Sequence, residues 1–284
     1  MLRFDFECKG SEYILIVQIL LRLFCGECVI LWKIYRMMNR DDLKNALLRR
    51  DNDPMGAAIY DYYKTGRAGK LRVLSSQFDE DEIPVRDLFR KFGDMSKLEQ
   101  MALNMSEGEI LDVGAGSGCH SLELQKMGKS VLAIDISPLS VEVMRERGLN
   151  ARQVNLYDDA LAERFDTILF LMNGSGIIGT LDNMHKFFAR MKQLLAPGGA
   201  ILMDSSDLSY LYEDEDGSFE VDLAGEYYGQ VDFRMKYRGI TGDLFDWLYV
   251  DFDTLSYYAK QNGFEAELVA EGAHYDYLAR ITMK

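Results

Sequence analysis

From Glu109 onward, short apolar runs alternate with stretches in which apolar residues recur every three or four positions. The runs are EILDVG, SVLAID, ARQVN, FDTILFLM and AILMDS; helical stretches fall at Cys119–Met127, Leu139–Arg147 and Leu181–Leu195. Such alternation is the mark of βαβ units, and it predicts a parallel sheet covered by helices on both faces, a doubly wound α/β fold. After Asp207 the chain becomes rich in Asp, Glu, Tyr and Gly, and the alternation in FEVDLAGEYYGQVDFRMKY predicts a hairpin around Gly225. A last helix, Asp253–Gln261, stops at Asn262-Gly263 and is followed by FEAELVAEG and YDYLARITM. The turn between these closing strands is so short that they must run antiparallel.

Upstream of Glu109 the pattern is helical. Asp41–Arg50 places acids first and bases last, as the helix dipole favours. Asp53-Pro54 opens a second helix that ends near Gly66, Val85–Phe92 keeps helical spacing, and Ser96–Asn104 forms another. The acidic run Asp79–Glu82 reads as a solvated loop. Residues 38–105 are therefore expected to form a helical cap, and 106–284 the main domain with an insertion at about 207–240. Tyr13–Trp32 holds twenty mostly apolar residues, enough to span a bilayer. Arg22 and Glu27 interrupt it, and Asp5, Glu7 and Glu12 precede it where a signal peptide carries positive charge. Residues 1–37 are read as an upstream extension, with the working protein starting at Met37 or Met38.

An apolar fraction of 48% and a charged fraction of 27% are those of a globular chain. Acids exceed bases by 46 to 32, a net charge of -14, so the mean field repels nucleic acid and anionic lipid. No nucleic-acid partner and no stable membrane association are expected. Of four cysteines only Cys119 lies beyond residue 28, so no disulfide framework runs through the body, and a cytoplasmic location fits. Cys25-Gly-Glu-Cys28 stands alone, without partner ligands.

The chemistry concentrates in Ile110–Gly118, ILDVGAGSG, a buried strand running into a glycine turn and then a helix. Gly114, Gly116 and Gly118 permit tight backbone geometry and let a ligand approach main-chain N–H groups. Asp135, nineteen residues after Gly116, ends the second strand where a carboxylate accepts from ribose hydroxyls. The dinucleotide fingerprint requires glycine at 119, where this chain has Cys119, which argues against a nicotinamide-dependent oxidoreductase.

In ILDVGAGSG, AIDIS, FDTILFLMNG and LLAPGGAILMDSS the chain resembles the class I S-adenosylmethionine-dependent methyltransferases. The resemblance is strong over about residues 108–206. It implies a seven-stranded Rossmann-like sheet with an antiparallel last strand, and S-adenosyl-L-methionine as cofactor. By the same resemblance, Asp112, Gly114, Ala115, Gly116 and Gly118 would hold the methionine end. Asp135 would take the ribose, Ile136, Asn155 and Leu156 would line the adenine, and Asn173 would face the sulfonium and the acceptor. Family members often carry an acid near Asn155, and Asp158 is the fallback. Members that methylate base or amide nitrogens carry Pro-Pro after this Asn or Asp, where this chain has Gly174-Ser175, so a small-molecule acceptor is expected. FDEDEIP, LMNGSGIIGTLD, DSSDLSYLYEDEDGS and EGAHYDYLAR look like bacterial methyltransferase-like proteins without an assigned substrate.

A base is needed only for a nucleophile that arrives protonated. Asp204, at the end of the fifth strand, and His274, near the final turn, are the candidates. His120, at a helix start, is expected to pack or to bond a neighbouring backbone group, and His185 to be solvated. Metal-ligand spacing is absent, so no metal is expected. The cap and the acidic, tyrosine-rich insertion are expected to close over the carboxyl edge of the sheet as the acceptor pocket. A noncatalytic module that binds the cofactor or its product is the alternative to an enzyme.

Overall fold

The structure is a computed structural model and describes residues 47–212 and 226–284. The expectations for residues 1–37, most of the helix at Asp41–Arg50, and the hairpin tip at Gly225 lie outside the described residues. Leu47–Lys284 forms one compact unit.

The main sheet has seven strands: β3 (Glu109–Val113), β4 (Ser130–Asp135), β5 (Ala151–Gln153), β6 (Phe165–Phe170), β7 (Leu195–Ser206), β10 (Phe264–Glu271) and β11 (Asp276–Met283). Their order is β10-β11-β7-β6-β3-β4-β5. The strands from β7 across to β5 pair in parallel, whereas β11 runs antiparallel to both β7 and β10. The order reverses between β3 and β6, which opens a crevice at their carboxyl ends. Successive side chains of a strand point to opposite faces, and the two cores follow this rule. Leu111, Ile168 and Ile201 pack on one side with helix α5 (Met184–Leu194), and Ile110, Leu169, Leu202 and Leu278 pack on the other with α2 (Lys97–Met105) and α3 (Cys119–Lys126). On α5, Met184, Phe187, Phe188, Met191 and Leu194 are spaced for one helical face and are all fully buried.

A second, four-stranded sheet has the order β2-β1-β8-β9, from β1 (Leu71–Leu74), β2 (Asp81–Ile83), β8 (Gln230–Tyr237) and β9 (Ile240–Leu248). The cap segment is thus not wholly helical: it supplies two strands, of which β1 pairs antiparallel with β8 and β2 pairs antiparallel with β1. Runs of four and three residues are too short for alternation to be read; β1 becomes a strand because β8 offers an edge, and β2 because β1 then offers one. The hairpin itself turns at Arg238-Gly239 and runs from Gln230 to Leu248, further along than the expected insertion at about 207–240. Part of the acidic run expected to be a solvated loop lies in β2, with Glu80 bonded to Arg72 at 2.5 Å. Val85–Phe89 and Phe92–Asp94 form short 3-10 turns in place of one helix.

Helix α1 (Pro54–Thr65) ties this layer to the main sheet. Its N-cap Asp53 accepts from Gly56 N at 2.8 Å and from Ser137 Oγ at 2.6 Å; Ser137 is itself the N-cap of α4 (Pro138–Glu146). Burial raises the Asp53 carboxyl above its ordinary value. At the far end of α1, Tyr237 donates to Asp61 at 2.8 Å.

Gly118, at φ +78, begins α3 where a Cβ would fall 2.5 Å from Leu149 Cδ1 and 2.9 Å from Met144 Cγ. Gly118→Ala is expected to lower stability by about 3 kcal/mol through strain and overpacking. A denaturant titration showing less than about 1 kcal/mol would mean that the helix shifts freely to admit the methyl group.

Candidate functional site

The glycine turn follows from β3: Ile110, Leu111 and Val113 are buried, and Gly114, Gly116 and Gly118 all have positive φ. The N–H groups of Gly114 and Ala115 donate to Ile134 O at 2.9 and 3.1 Å, which pins the start of the turn to the end of β4. Gly116 N then donates to Asp135 Oδ2 at 2.8 Å, and Ser137 N donates to Asp135 Oδ1 at 2.8 Å. Asp135 is half-buried between these turns, and burial pushes its carboxyl up to about 6 against the two N–H bonds that favour its charge. Ile136, next along, is 36% exposed, unusual for an aliphatic residue at a strand end.

The three glycines do different work. Gly118 is filled in by neighbours, whereas among the described residues a Cβ on Gly116 would meet only Ile59 Cδ1, at 3.9 Å. The described residues leave the space over Gly116 open. It lies beside Asp135 and at the crevice between β3 and β6, a cradle with room for a ligand against the backbone.

Across the crevice, β6 is followed by Met172 and Asn173, both left-handed at φ 66 and 56. Non-glycine residues adopt this conformation only when their surroundings hold them there. Here Asp204 does so: its two oxygens accept from Met172 N and Gly174 N, each at 3.0 Å. Burial pushes the Asp204 carboxyl up to about 6 despite these bonds. Ser206 Oγ donates to Asn173 Oδ1 at 2.7 Å, and Met172 is turned outward, 40% exposed. Both oxygens of Asp204 are thus engaged in shaping the turn. Asp204→Asn replaces one acceptor with an NH2 group facing an N–H, and is expected to cost about 1–3 kcal/mol. An unchanged melting curve would show that the turn keeps its shape without the carboxylate.

Aromatic rings continue from this turn. Trp247 lies so close over Gly176 that a Cβ there would fall 1.8 Å from its Cε2. Phe245 stands 6.1 Å from Trp247, and Phe233, opposite Phe245, stands 6.4 Å from Tyr249. Burial, and then the Tyr210 phenol, raise Tyr249 to about 12. Tyr210 stacks on Tyr275 at 4.7 Å, at the β10–β11 turn. Tyr210, Leu211, Tyr212 and Tyr275, like Met172 and Ile136, are exposed and follow carboxyl ends of strands.

The remaining sequence-derived residues divide. Asp112 is buried, with Oδ2 accepting from Ser121 Oγ at 2.6 Å. Ala115 is buried within the turn. Asn155 is buried, and its Oδ1 accepts from Tyr157 N at 3.0 Å, while Leu156 packs into the main core with its carbonyl accepting from Arg190. Asp158 is exposed beyond them. His274 is exposed beside Tyr275, its N–H donating to Asp276. His185 is exposed and bonded to Asn262 at 3.0 Å.

His120 is buried and bonds a side chain, Glu99, at 2.7 Å, which no local pattern announced. Burial raises the Glu99 carboxyl, but His120, the Ser96 N–H and Arg90 together outweigh it and hold it at about 2. The capping box SKLE at Ser96–Glu99 was the available signal, and it accounts for one Glu99 oxygen only. Among the described residues no group of His, Cys, Asp and Glu is arranged for a metal, and no helix is long and apolar enough to cross a membrane. A cavity of about 390 Å³ opens at the opposite, amino edge of the sheet between Glu107, Asp166 and Pro197, away from all these residues.

A family model described as a methyltransferase domain matches residues 110–199. Among curated proteins, a demethylmenaquinone methyltransferase of Tropheryma whipplei is 29% identical over 100 residues, 34% of this chain and 40% of that protein. The mitochondrial ubiquinone biosynthesis O-methyltransferase of Schizosaccharomyces pombe is 22% identical over 102 residues, 34% of this chain and 37% of that one. The match therefore spans less than half the length of these relatives. The CcbJ methyltransferase from Streptomyces caelestis shares the fold, with a TM-score of 0.55 at 15% identity over 81% of this chain and 98% of its own. A Bacteroides fragilis S-adenosylmethionine-dependent methyltransferase, crystallised with S-adenosyl-L-homocysteine, is far nearer. It is 65% identical, with a TM-score of 0.81 over 85% of this chain and 99% of its own. With the seven-stranded sheet, the open glycine turn and this identity over nearly all of a relative's length, the chain belongs to the S-adenosylmethionine-dependent methyltransferases.

Proposed function

We propose that the protein transfers a methyl group from S-adenosyl-L-methionine to a small, planar acceptor. The observation that carries the cofactor half is the pairing of Gly116 N with Asp135 beside open space at the switch point of the sheet. With one lone pair of each oxygen committed to backbone N–H groups, the Asp135 carboxylate is oriented to accept ribose hydroxyls on the other. Gly114 to Gly118 brings the methionine end against the backbone, with Asp112 behind it, and Ile136 with Asn155 flanks the adenine. When bound, the cofactor supplies a methyl group already activated by its sulfonium. The chain's own task is therefore alignment and exclusion of water. Asp204 serves by holding Met172 and Asn173 in their left-handed turn facing the acceptor, and it is better read as a positioning residue than as a base. His274, on the rim beside Tyr275, is the group able to take a proton from an acceptor that arrives protonated.

The acceptor half rests on the arc of rings from Trp247 through Phe245, Phe233 and Tyr249 to Tyr210 and Tyr275. Ring faces favour planar guests. The relatives named for demethylmenaquinone and ubiquinone support a guest of that kind. A net charge of -14 and a single buried free cysteine among the described residues suit a reducing cytoplasm. The test is a screen with methyl-labelled cofactor against planar phenols, quinols and aryl amines beside their saturated counterparts. Label transfer to the planar members is expected. Tight S-adenosylhomocysteine binding with no transfer to any acceptor would favour a noncatalytic module.

A further inference from the structure

We infer that Arg90 anchors the α-carboxylate at the methionine end of the cofactor, an inference that rests on the cofactor reading above. Arg90 lies between the turns Val85–Phe89 and Phe92–Asp94, on a segment held against the glycine turn. Ser117 Oγ donates to Leu88 O, Arg147 donates to Ser117 O at 2.6 Å, and the Arg147 guanidinium sits 5.1 Å from the centre of the Phe89 ring. The Arg90 side chain is only 19% exposed, and among the described residues its guanidinium makes one hydrogen bond, from a terminal nitrogen to Glu99 Oε1. Its Nε is buried with no partner among the described residues.

A buried guanidinium N–H without an acceptor is a cost that a folded chain ordinarily avoids. Glu99 does not remove it. One of its oxygens already receives His120 as well as Arg90, and the other receives Ser96 N at 2.8 Å. Arg90 thus keeps donors for a second anion, and the shared oxygen places its guanidinium beside His120, in the first turn of α3 directly after the glycines.

The charges at that place suit a zwitterion. Asp112, a carboxylate, lies on β3 under the turn, and Arg90 is a cation facing the same helix start beside Arg147, whose guanidinium is already bonded to Ser117. Cys119 feels both: burial first, then Asp112, raise its thiol to about 12, and Arg90 opposes them. An amino-acid end carries one ammonium and one carboxylate. Asp112 suits the first, and Arg90, with its unused planar donors, suits the second.

The test compares wild type, Arg90→Met and Arg90→Lys by calorimetry with two ligands: S-adenosylhomocysteine, and 5′-methylthioadenosine, which keeps the nucleoside and thioether but lacks the amino-acid end. Arg90→Met is expected to lose about 10- to 100-fold in affinity for S-adenosylhomocysteine and less than about twofold for 5′-methylthioadenosine, with Arg90→Lys recovering part of the loss. Wild type titrated with decarboxylated S-adenosylhomocysteine should show a deficit of the same size, and that measurement stands even if Arg90→Met does not fold. Equal losses on both ligands, unchanged affinity for S-adenosylhomocysteine, or a wild type indifferent to decarboxylation each overturn the inference. So does a variant in which only the acceptor's KM rises, since Arg90 would then serve the acceptor. A wild type that binds neither ligand removes the cofactor reading itself, a different failure.

Discussion

Gly116→Val is expected to yield a folded protein that has lost S-adenosylhomocysteine binding by more than about 100-fold. Among the described residues a Cβ at residue 116 meets nothing closer than Ile59 Cδ1 at 3.9 Å, so their packing tolerates it. The backbone does not welcome it, because φ is +56 and a β-branched residue in the left-handed region costs about 1–3 kcal/mol. The decisive loss is in the cleft, where the isopropyl group fills the space in which a ligand would reach the Gly116 and Asp135 pair. Gly116→Ala carries much of the backbone strain with less bulk and should bind measurably better than the valine variant. Calorimetry decides the matter, with circular dichroism as the control for folding. Normal affinity in a folded valine variant would mean that the cofactor sits elsewhere.

Asp135 gives the second large effect, and a pH signature with it. Asp135→Asn should weaken S-adenosylhomocysteine by about 10- to 100-fold at pH 7.5, through loss of charged hydrogen bonds at roughly 1.5–3 kcal/mol each, part of which water restores. In the free protein burial holds this carboxyl at about 6, and ribose hydroxyls donate to its ionised form. Wild-type affinity is therefore full above pH 6 and should fall by up to about tenfold per unit below it, whereas the Asn variant should be flat over the same window. Stability of the free protein moves the other way. The folded carboxyl lies above its unfolded value of 3.8, so the folded state binds more protons between 3.8 and about 6, and Asp135 contributes stability that is present at low pH and lost as pH rises through 6. Asp204 is held at about 6 as well and Asp53 is also raised, so the melting-temperature trend belongs to Asp135 only as the difference between wild type and the Asn variant. An affinity profile that is the same in wild type and variant would remove Asp135 from it.

The glycine turn and Asp135 were legible because their chemistry is local. A buried strand, three glycines at alternate positions and an acid at the end of the next strand can be read along the chain, and βαβ connectivity then brings the two strand ends together. The antiparallel closing pair was legible for the same reason, since the turn between Glu271 and Asp276 leaves no room for a crossover. The small sheet was not. β1 and β2 hold four and three residues; β1 exists because β8, more than 150 residues later, presents an edge at the register Leu71 to Tyr237, and β2 pairs in turn on β1.

Asp204 shows the boundary between the two kinds of information. Its place at the end of a strand beside the cleft is a property of the sequence, and it invited a catalytic reading. That both its oxygens are taken by Met172 N and Gly174 N is a property of two neighbouring strands in three dimensions. The cluster of Arg90, Glu99 and His120 lies wholly on the tertiary side. Its members come from a connecting segment, a capping box and the start of α3, and whether a guanidinium nitrogen is left without a partner depends on what surrounds it rather than on its neighbours in the chain. The sequence by itself determined the doubly wound sheet, the glycine turn and the acid that faces it, because periodicity and turn chemistry act over a few residues. Only the tertiary structure decided which polar groups are satisfied, which backbone is held left-handed and which rings pack together, because burial and hydrogen-bond saturation arise where distant segments meet.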